Sequence, residues 1–570
     1  MITRAVHVRN DGAAPVRLTR VASACLDFPA GEHDLITLGG AYAREREPVR
    51  ARLTQGVHTA GSVRGSSSHQ QNPFLILCDR DATEDAGRCW GMALVYSGSF
   101  LASTEYTQFH ETRMTMGIHP FHFAWLLQPG ETFTAPEAAM VFSARGLGHM
   151  SRMFHRAIRL NLCRGPWKDA RRPILINNWE ATLFHFDAEK LYSIAQAASR
   201  VGVEMMVMDD GWFGERNDDF GGLGDWNVNE KKLPGGLAPL AGRIGSLGMK
   251  FGLWVEPEMV NENSDLYRAH PDWAFQVPGR PVTRGRYQLV LDLSRPEVRQ
   301  YILDHLCATL KSADISYLKW DMNRSLTDVW SAALPPERQG EVYHRFVLGV
   351  YEILEALHRE FPDLLIEGCS GGGGRFDCGM LYYTPQIWCS DNTDAMDRLR
   401  IQYGTSFCYP CASMGAHVSA VPNGLTHRST PLHTRGVVAA AGTFGYELDL
   451  NELTAAELEE VSAQIAGFRT YWDLVMRGDY YRISDPFRQE VPFCAWMHVS
   501  PDRDRALVGL VQTQRHANPV RPLLRLKGLD PDRNYRINGQ VYGGDELMYA
   551  GLALPFLDEC EAVQYYIESV

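Results

Sequence analysis

The chain has 570 residues, enough for several domains and a large core. Apolar residues make up 45% and charged residues 22%, the balance of an ordinary globular protein, which excludes a disordered chain. A formal charge of −12 argues against a nucleic-acid or anionic-membrane partner and fits a neutral substrate.

Residues 1–155 read as β-rich. Runs such as Phe74-Leu75-Ile76-Leu77 and Gly91-Met92-Ala93-Leu94-Val95-Tyr96 are separated by polar and Gly-rich turns, among them the loop Gly65-Ser66-Ser67-Ser68. The first helical period falls at 147–160 and predicts a connecting helix, with the link running to 172.

From Pro173 the texture becomes alternating strands and helices. Ile174-Leu175-Ile176 is a strand ending at Asn177-Asn178-Trp179-Glu180. Leu191, Ile194, Ala195 and Ala198 then mark a helical face, closed by Gly202. Met205-Met206-Val207-Met208 ends at Asp209-Asp210, and Phe251-Gly252-Leu253-Trp254-Val255 ends at Glu256-Pro257-Glu258. Ser294-Arg295-Pro296-Glu297 reads as a capping box opening a helix to about 310. A fourth strand, Tyr317-Leu318-Lys319-Trp320, breaks into charge at Asp321-Met322-Asn323-Arg324. The fifth, Leu364-Leu365-Ile366, ends at Glu367-Gly368-Cys369. The sixth, Ile387-Trp388, ends at Ser390-Asp391. Ala416-His417-Val418 and Val437-Val438-Ala439 stand as seventh and eighth strands, although the last also fits a helix. Such repeats predict a parallel (β/α)8 barrel, a TIM barrel, over 173–475, with polar strand ends converging on one mouth. From 476 to 570 short alternating strands return and predict a small C-terminal antiparallel β-domain, a second sandwich to match the N-terminal β-sandwich.

Side chains alternate along a strand, so Lys319 and Asp321 point the same way, and an ammonium beside a carboxylate favours its ionised form. That suits a nucleophile at a sugar carbon. Asp391 follows apolar Ile387 and Trp388 and has no cation beside it, so burial would raise its pKa toward that of a general acid. Asp209 and Asp210 fit bidentate capture of sugar hydroxyls, or a metal site completed by Glu256 and Glu258. Trp254 serves as a sugar platform or as barrel filling. Arg286 and Lys319 are donors for hydroxyls, and a surface salt bridge is the plainer role for Arg286.

Twelve cysteines scattered along the chain do not form a disulfide framework and fit a reducing compartment. Cys408-Tyr409-Pro410-Cys411 lacks a second pair, and His119-Pro120-Phe121-His122 lacks a Cys or acidic partner to complete a ligand set, so neither motif is expected to hold a metal or a cofactor. With no stretch of membrane-spanning length and no hydrophobic signal core at the start, the expected location is cytoplasmic.

Six stretches now combine: Asn177-Asn178-Trp179-Glu180-Ala181, Asp209-Asp210-Gly211-Trp212-Phe213-Gly214, Leu253-Trp254-Val255-Glu256-Pro257-Glu258-Met259, Lys319-Trp320-Asp321-Met322-Asn323-Arg324, Cys369-Ser370-Gly371-Gly372-Gly373-Gly374-Arg375-Phe376-Asp377 and Ser390-Asp391-Asn392-Thr393-Asp394. In order and spacing the chain resembles the α-galactosidases of glycoside hydrolase family 36, which share a melibiase-like barrel. The resemblance implies a retaining hydrolase of terminal α-galactosides such as melibiose and the raffinose series, acting by double displacement without a metal. It implies Asp321 as nucleophile and Asp391 as acid/base, with the two carboxyl groups about 5–5.5 Å apart. It further implies a galactose subsite of Asp209, Asp210, Trp254, Arg286, Lys319, Asn323, Cys369 and Gly372, with Trp179 at its edge. An α-N-acetylgalactosaminidase or galactosyl transferase of the same fold, a metal-dependent barrel enzyme, and an inert carbohydrate-binding protein are the alternatives.

The family's N-terminal β-domain is longer, so the resemblance also implies that roughly its first half is absent here, by ordinary domain proportions. In tetrameric relatives that portion supplies subunit contacts and side chains to a neighbour's site. Its absence counts against that tetramer and against a complete substrate pocket here, which leaves a homo-oligomer as an open expectation, with the small oligosaccharide as the partner.

Overall fold

The structure, a computed structural model, describes residues 1–488, 490–518 and 522–570. Its N-terminal part holds two larger antiparallel sheets and two short strand pairs. One has six strands in the order Ile2–Arg4, Glu137–Ser143, Cys89–Val95, Gln71–Asp79, His33–Ala41 and Arg44–Arg52. The other has four, Ala22–Phe28, Thr112–Ile118, Phe100–Tyr106 and Gly56–Ser62. Phe100–Tyr106 alternates buried and more exposed positions, as a strand with one face in a core does. Phe74, Ile76, Leu94, Phe100 and Met114 belong to one buried core. The connecting helix spans Gly146–Ala157.

The hairpin joining His33–Ala41 to Arg44–Arg52 carries a bulge between Gly39 and Ala41. Gly40 sits at φ +146, where a Cβ would lie 2.3 Å from the Arg44 carbonyl, so only glycine fits. Ala43 and Arg46 also take positive φ. Bulges re-aim strands, and this hairpin ends inside the barrel mouth: the Ala43 carbonyl accepts from Asn392 Nδ2 at 3.1 Å, and buried Arg46 donates to the carbonyls of Gly373 and Cys389.

The central sheet is a closed eight-stranded parallel barrel. Its strands are β1 (Leu175–Asn177), β2 (Met205–Met208), β3 (Lys250–Val255), β4 (Tyr317–Trp320), β5 (Leu365–Gly368), β6 (Gln386–Trp388), β7 (Met414–Ser419) and β8 (Thr443–Glu447). β8 closes on β1 through Gly445 opposite Leu175. Leu175, Met205, Val207, Tyr317 and Leu365 form a separate buried cluster. They alternate in sequence with residues packed into the main core, as inward-facing positions do. Gly252 makes room for the Tyr317 ring, which a Cβ there would meet at 2.8 Å. The same parity carries upward, from Val207 to Asp209 and from Tyr317 through Lys319 to Asp321.

Two local expectations fail. The strand reading of Val437-Val438-Ala439 gives way to its helical alternative, since the segment lies in the helix Leu432–Ala439, and the eighth strand is Thr443–Glu447. Burial of this short helix among its neighbours overrides the β preference of adjacent valines. The helix Pro296–Lys311 exists, but no capping box opens it. The Ser294 hydroxyl donates to Asp292 at 2.5 Å, and Glu297 pairs with Arg295 at 2.7 Å. By contrast, the face Leu191, Ile194, Ala195 and Ala198 is buried on the helix Ala188–Val201, which Gly202 ends at φ +97.

The C-terminal part is a six-stranded antiparallel sheet ordered Asp479–Arg482, Phe493–Val499, Arg505–Gln512, Ala562–Ser569, Asn534–Ile537 and Gln540–Gly543. The short pair Leu523–Leu524 and Leu552–Ala553 shares its core with Met497, Val508, Tyr535 and Ile567. Among the described residues, no helix is long and apolar enough to cross a membrane.

Candidate active site

A cavity of about 460 Å³ opens at the C-terminal ends of the barrel strands. Trp179, Asp209, Asp210, Trp254, Arg286, Lys319, Asp321, Asn323 and Asp391 all line it. Nine of the eleven sequence-predicted residues thus meet in one pocket. Cys369 and Gly372 stand behind it, against the two acids: the Cys369 thiol bonds to Asp321, and a Cβ on Gly372 would lie 2.5 Å from the Asp391 amide.

Lys319 is not the direct partner of Asp321. Its Nζ bonds to Asp209 Oδ2 at 2.9 Å, an oxygen that also accepts from Asn177 Nδ2 at 2.6 Å. Burial would strip the Lys319 proton, but Asp209, with help from other acids of the mouth, holds it well above its ordinary range. Asp210 has its own cation, Arg216, with Nη2 at 2.8 Å and Nε at 3.0 Å. Arg216 is buried too, and nothing in its surface-like sequence context, Glu215-Arg216-Asn217, signals that role.

Asp321 is held by four hydrogen bonds besides the thiol. Oδ1 accepts from the amides of Met322 (2.8 Å) and Gly371 (3.2 Å), and Oδ2 from Trp254 Nε1 (3.1 Å) and Asn323 Nδ2 (2.8 Å). Burial pushes its carboxyl up. The charge of Lys319, the Cys369 bond, Arg286 and the Asn323 bond outweigh it, and the net direction is down. Trp254 is thereby a hydrogen-bond donor to an acid as well as a wall of the pocket.

Asp391 is in the opposite condition. Trp388 Nε1 donates to its Oδ1 at 3.1 Å, and Tyr42 bonds to it from the N-terminal hairpin. Burial first and the charge of Asp321 second raise its carboxyl to about 7, against the pull of Lys319 and Arg286. Gly371 and Gly372, both at positive φ, lie between the two acids, so the chain bonds one and abuts the other.

Arg286 meets Asp219 at 3.4 Å and also faces the pocket, where its charge is felt by both Asp321 and Asp391. The four-carboxylate metal arrangement does not form. Glu256 and Glu258 do not line the pocket. Glu258 is paired with Arg375 at 2.6 Å, and Glu256 accepts from Gln288 Nε2 at 3.0 Å. Among the described residues, no group of three or more His, Cys, Asp or Glu is placed to hold a metal ion.

Sequence reasoning missed Tyr42, Glu180, Thr393, Asn423 and Glu447, which also line the cavity. Glu447 was findable as the tip of β8 once that strand is located. Tyr42 lies more than three hundred residues from Asp391 and carries no local signal.

A β/α barrel between β-domains, with an ionised and a protonatable carboxyl in one mouth, defines a barrel enzyme of the two-carboxylate kind. Comparisons with known proteins narrow this. Residues 132–478 match the Melibiase family, residues 1–128 the glycosyl hydrolase family 36 N-terminal domain, and residues 493–567 the family 36 C-terminal domain. Alpha-galactosidase AgaA of Geobacillus stearothermophilus is 53% identical over 557 residues, covering 98% of this chain and 76% of that protein. Alpha-galactosidase 1 of Pediococcus pentosaceus is 47% identical over 99% of this chain and 77% of its own length. The crystal structure of an AgaA variant in complex with raffinose superposes with a TM-score of 0.98 at 52% identity, covering 100% of this chain and 79% of that one. The chain belongs to glycosyl hydrolase family 36. Its activity is that of an α-galactosidase, release of terminal α-linked galactose with retention of configuration.

Proposed function

We propose that Asp321 is the nucleophile and Asp391 the acid/base of this hydrolysis. Asp321 attacks the anomeric carbon while Asp391 gives its proton to the departing oxygen. A covalent β-galactosyl-enzyme results, and Asp391, now a carboxylate, takes a proton from water as it attacks, restoring the α configuration. The observation that carries this reading is the divergence of the two acids in one cavity: one is bonded on both oxygens and pushed down, the other is raised to about 7.

The galactose subsite in this reading is Asp209, Asp210, Trp254, Arg286, Lys319, Asn323, Cys369 and Gly372, with Trp179 at the rim. The ion pairs Lys319–Asp209 and Arg216–Asp210 support it, because carboxylates fixed by buried cations present rigid acceptors to sugar hydroxyls. Raffinose and stachyose occupy solved relatives, which supports oligosaccharides of that series as substrates. Domains of 1–155, with a link to 172, then 173–475 and 476–570 fit this arrangement. The mostly buried, unpaired cysteines favour a reducing, cytoplasmic setting.

The decisive experiment is Asp321→Gly with an activated aryl α-galactoside. Turnover collapses, and azide restores part of it by forming a β-galactosyl azide. An azide product of α configuration would refute the assignment.

A further inference from the structure

Glu180 follows Trp179 at the end of β1 and has no part in the chemistry above. It lines the cavity, and its Oε1 accepts from the Thr393 hydroxyl at 2.7 Å. That hydroxyl accepts in turn from Asn423 Nδ2 at 2.8 Å. Asn423 is itself fixed, its Oδ1 accepting from the amides of Leu425 (3.0 Å) and Thr426 (3.1 Å). The chain of donors therefore runs one way, from the loop after β7, through the loop after β6, to Glu180. It ends on Oε1, and Oε2 has no protein hydrogen bond among the described residues.

The groups facing Glu180 are mostly acids. Glu447 lies at the tip of β8, with His417 of β7 at 3.3 Å from its Oε2, and Asp391 stands at the end of β6. Lys319 of β4 is the cation that reaches it, and it is already paired with Asp209. Burial and then Glu447 raise the Glu180 carboxyl to about 8, against the Thr393 bond. That shift favours the neutral acid near neutral pH. With Oε1 occupied as an acceptor, its proton rests on Oε2 and can be donated into the cavity.

Position assigns what it meets. The arc from β2 to β4 carries Asp209, Asp210, Trp254 and Lys319, four members of the galactose subsite proposed above. Glu180 stands outside that arc, tied to the loop two residues past Asp391, the group that protonates the departing oxygen. We propose that Glu180, anchored by Thr393 and Asn423, is a specificity-determining residue that donates a hydrogen bond to a hydroxyl of the leaving sugar. This rests on the reading of Asp391 as the acid. A leaving group with hydroxyls in that place gains the bond, and an aryl leaving group has none to offer.

The test compares melibiose with 4-nitrophenyl α-galactoside in wild type, Glu180→Ala and Glu180→Gln. Glu180→Ala raises KM for melibiose about tenfold, the worth of one such bond, and moves KM for the aryl substrate less than about twofold. Glu180→Gln stays near wild type on both, since its amide accepts from Thr393 and donates in the same way. Equal losses on both substrates in Glu180→Ala, no loss on either, or a Glu180→Gln as damaged as Glu180→Ala would each overturn the proposal. Thr393→Val removes the anchor and leaves Glu180 in place. It gives a smaller rise selective for melibiose, and an unselective effect there also overturns it. Wild-type turnover of the aryl substrate keeps the two readings apart. If it is present, failure falls on Glu180 alone. If it is absent, the glycosidase reading falls and this proposal with it.

Discussion

In the proposed mechanism the pH dependence of kcat/KM follows from the state of Asp391. Its carboxyl is raised to about 7 by burial and by the charge of Asp321, and it must carry a proton to release a poor leaving group. For a single titration at that value, the protonated fraction falls from about nine-tenths at pH 6 to about one-tenth at pH 8. Activity is therefore kept on the acid side and lost as pH rises through 7. kcat/KM for melibiose drops about tenfold across that interval, reporting the free enzyme. Asp321 is pushed down from its ordinary value, so the opposite limb lies on the acid side of an ordinary aspartate, below about 4. The control is Asp391→Ala. It loses far more activity on melibiose than on 4-nitrophenyl α-galactoside, whose phenolate departs without help, and its residual rate shows no limb near 7. The assay is initial-rate kinetics on both substrates from pH 4 to 9. A profile flat from pH 6 to 8 with melibiose, or a limb that survives in Asp391→Ala, would refute the assignment of the acid.

Three further outcomes test other parts of the site. Arg216→Met leaves Asp210 buried beside Asp209 without its cation, and breaking such a pair costs about 3–5 kcal/mol, read as a fall in thermal midpoint together with lost activity. Gly372→Ala puts a Cβ 2.5 Å from the Asp391 amide at φ +77, so kcat falls about a hundredfold, the cost of a 1 Å misplacement, and an unchanged kcat would deny that contact. Exhaustive chelation leaves the rate on the aryl substrate unchanged, and a loss restored by Mg²⁺ would revive the metal reading.

The barrel was legible because its signals are local and repeated. Each strand is a short apolar run, each ends in a polar tip, and the parity that puts Val207 inward also puts Asp209 there. Asp321 and Asp391 emerge from that pattern alone, as does the helix face around Leu191. What parity does not give is pairing across the mouth. Lys319 stands two residues from Asp321, yet its ammonium reaches Asp209 of β2, because the strands of a closed barrel bring their tips to a common centre. The same limit hid Arg216, which reads as a surface residue in a loop and is in fact buried against Asp210 and the Phe184 ring. β8 was lost for a different reason. Val437 and Val438 have the chemistry of a strand, but they sit in a buried helix, while the true strand carries Gly445 because the His417 ring occupies the space of its Cβ.

The N-terminal hairpin is the hardest case and the most instructive. Tyr42 bonds to Asp391, Ala43 receives Asn392, and Arg46 holds the carbonyl of Cys389, so three residues of one hairpin grip the Asp391 loop. A bulge that only Gly40 permits aims that turn into the barrel mouth. No periodicity or spacing announces such a contact, since it joins residues 349 apart. The consequence is physical: the environment that raises Asp391 is built by two sheets of different domains, so the N-terminal domain is part of the setting of Asp391 rather than an appendage to the barrel.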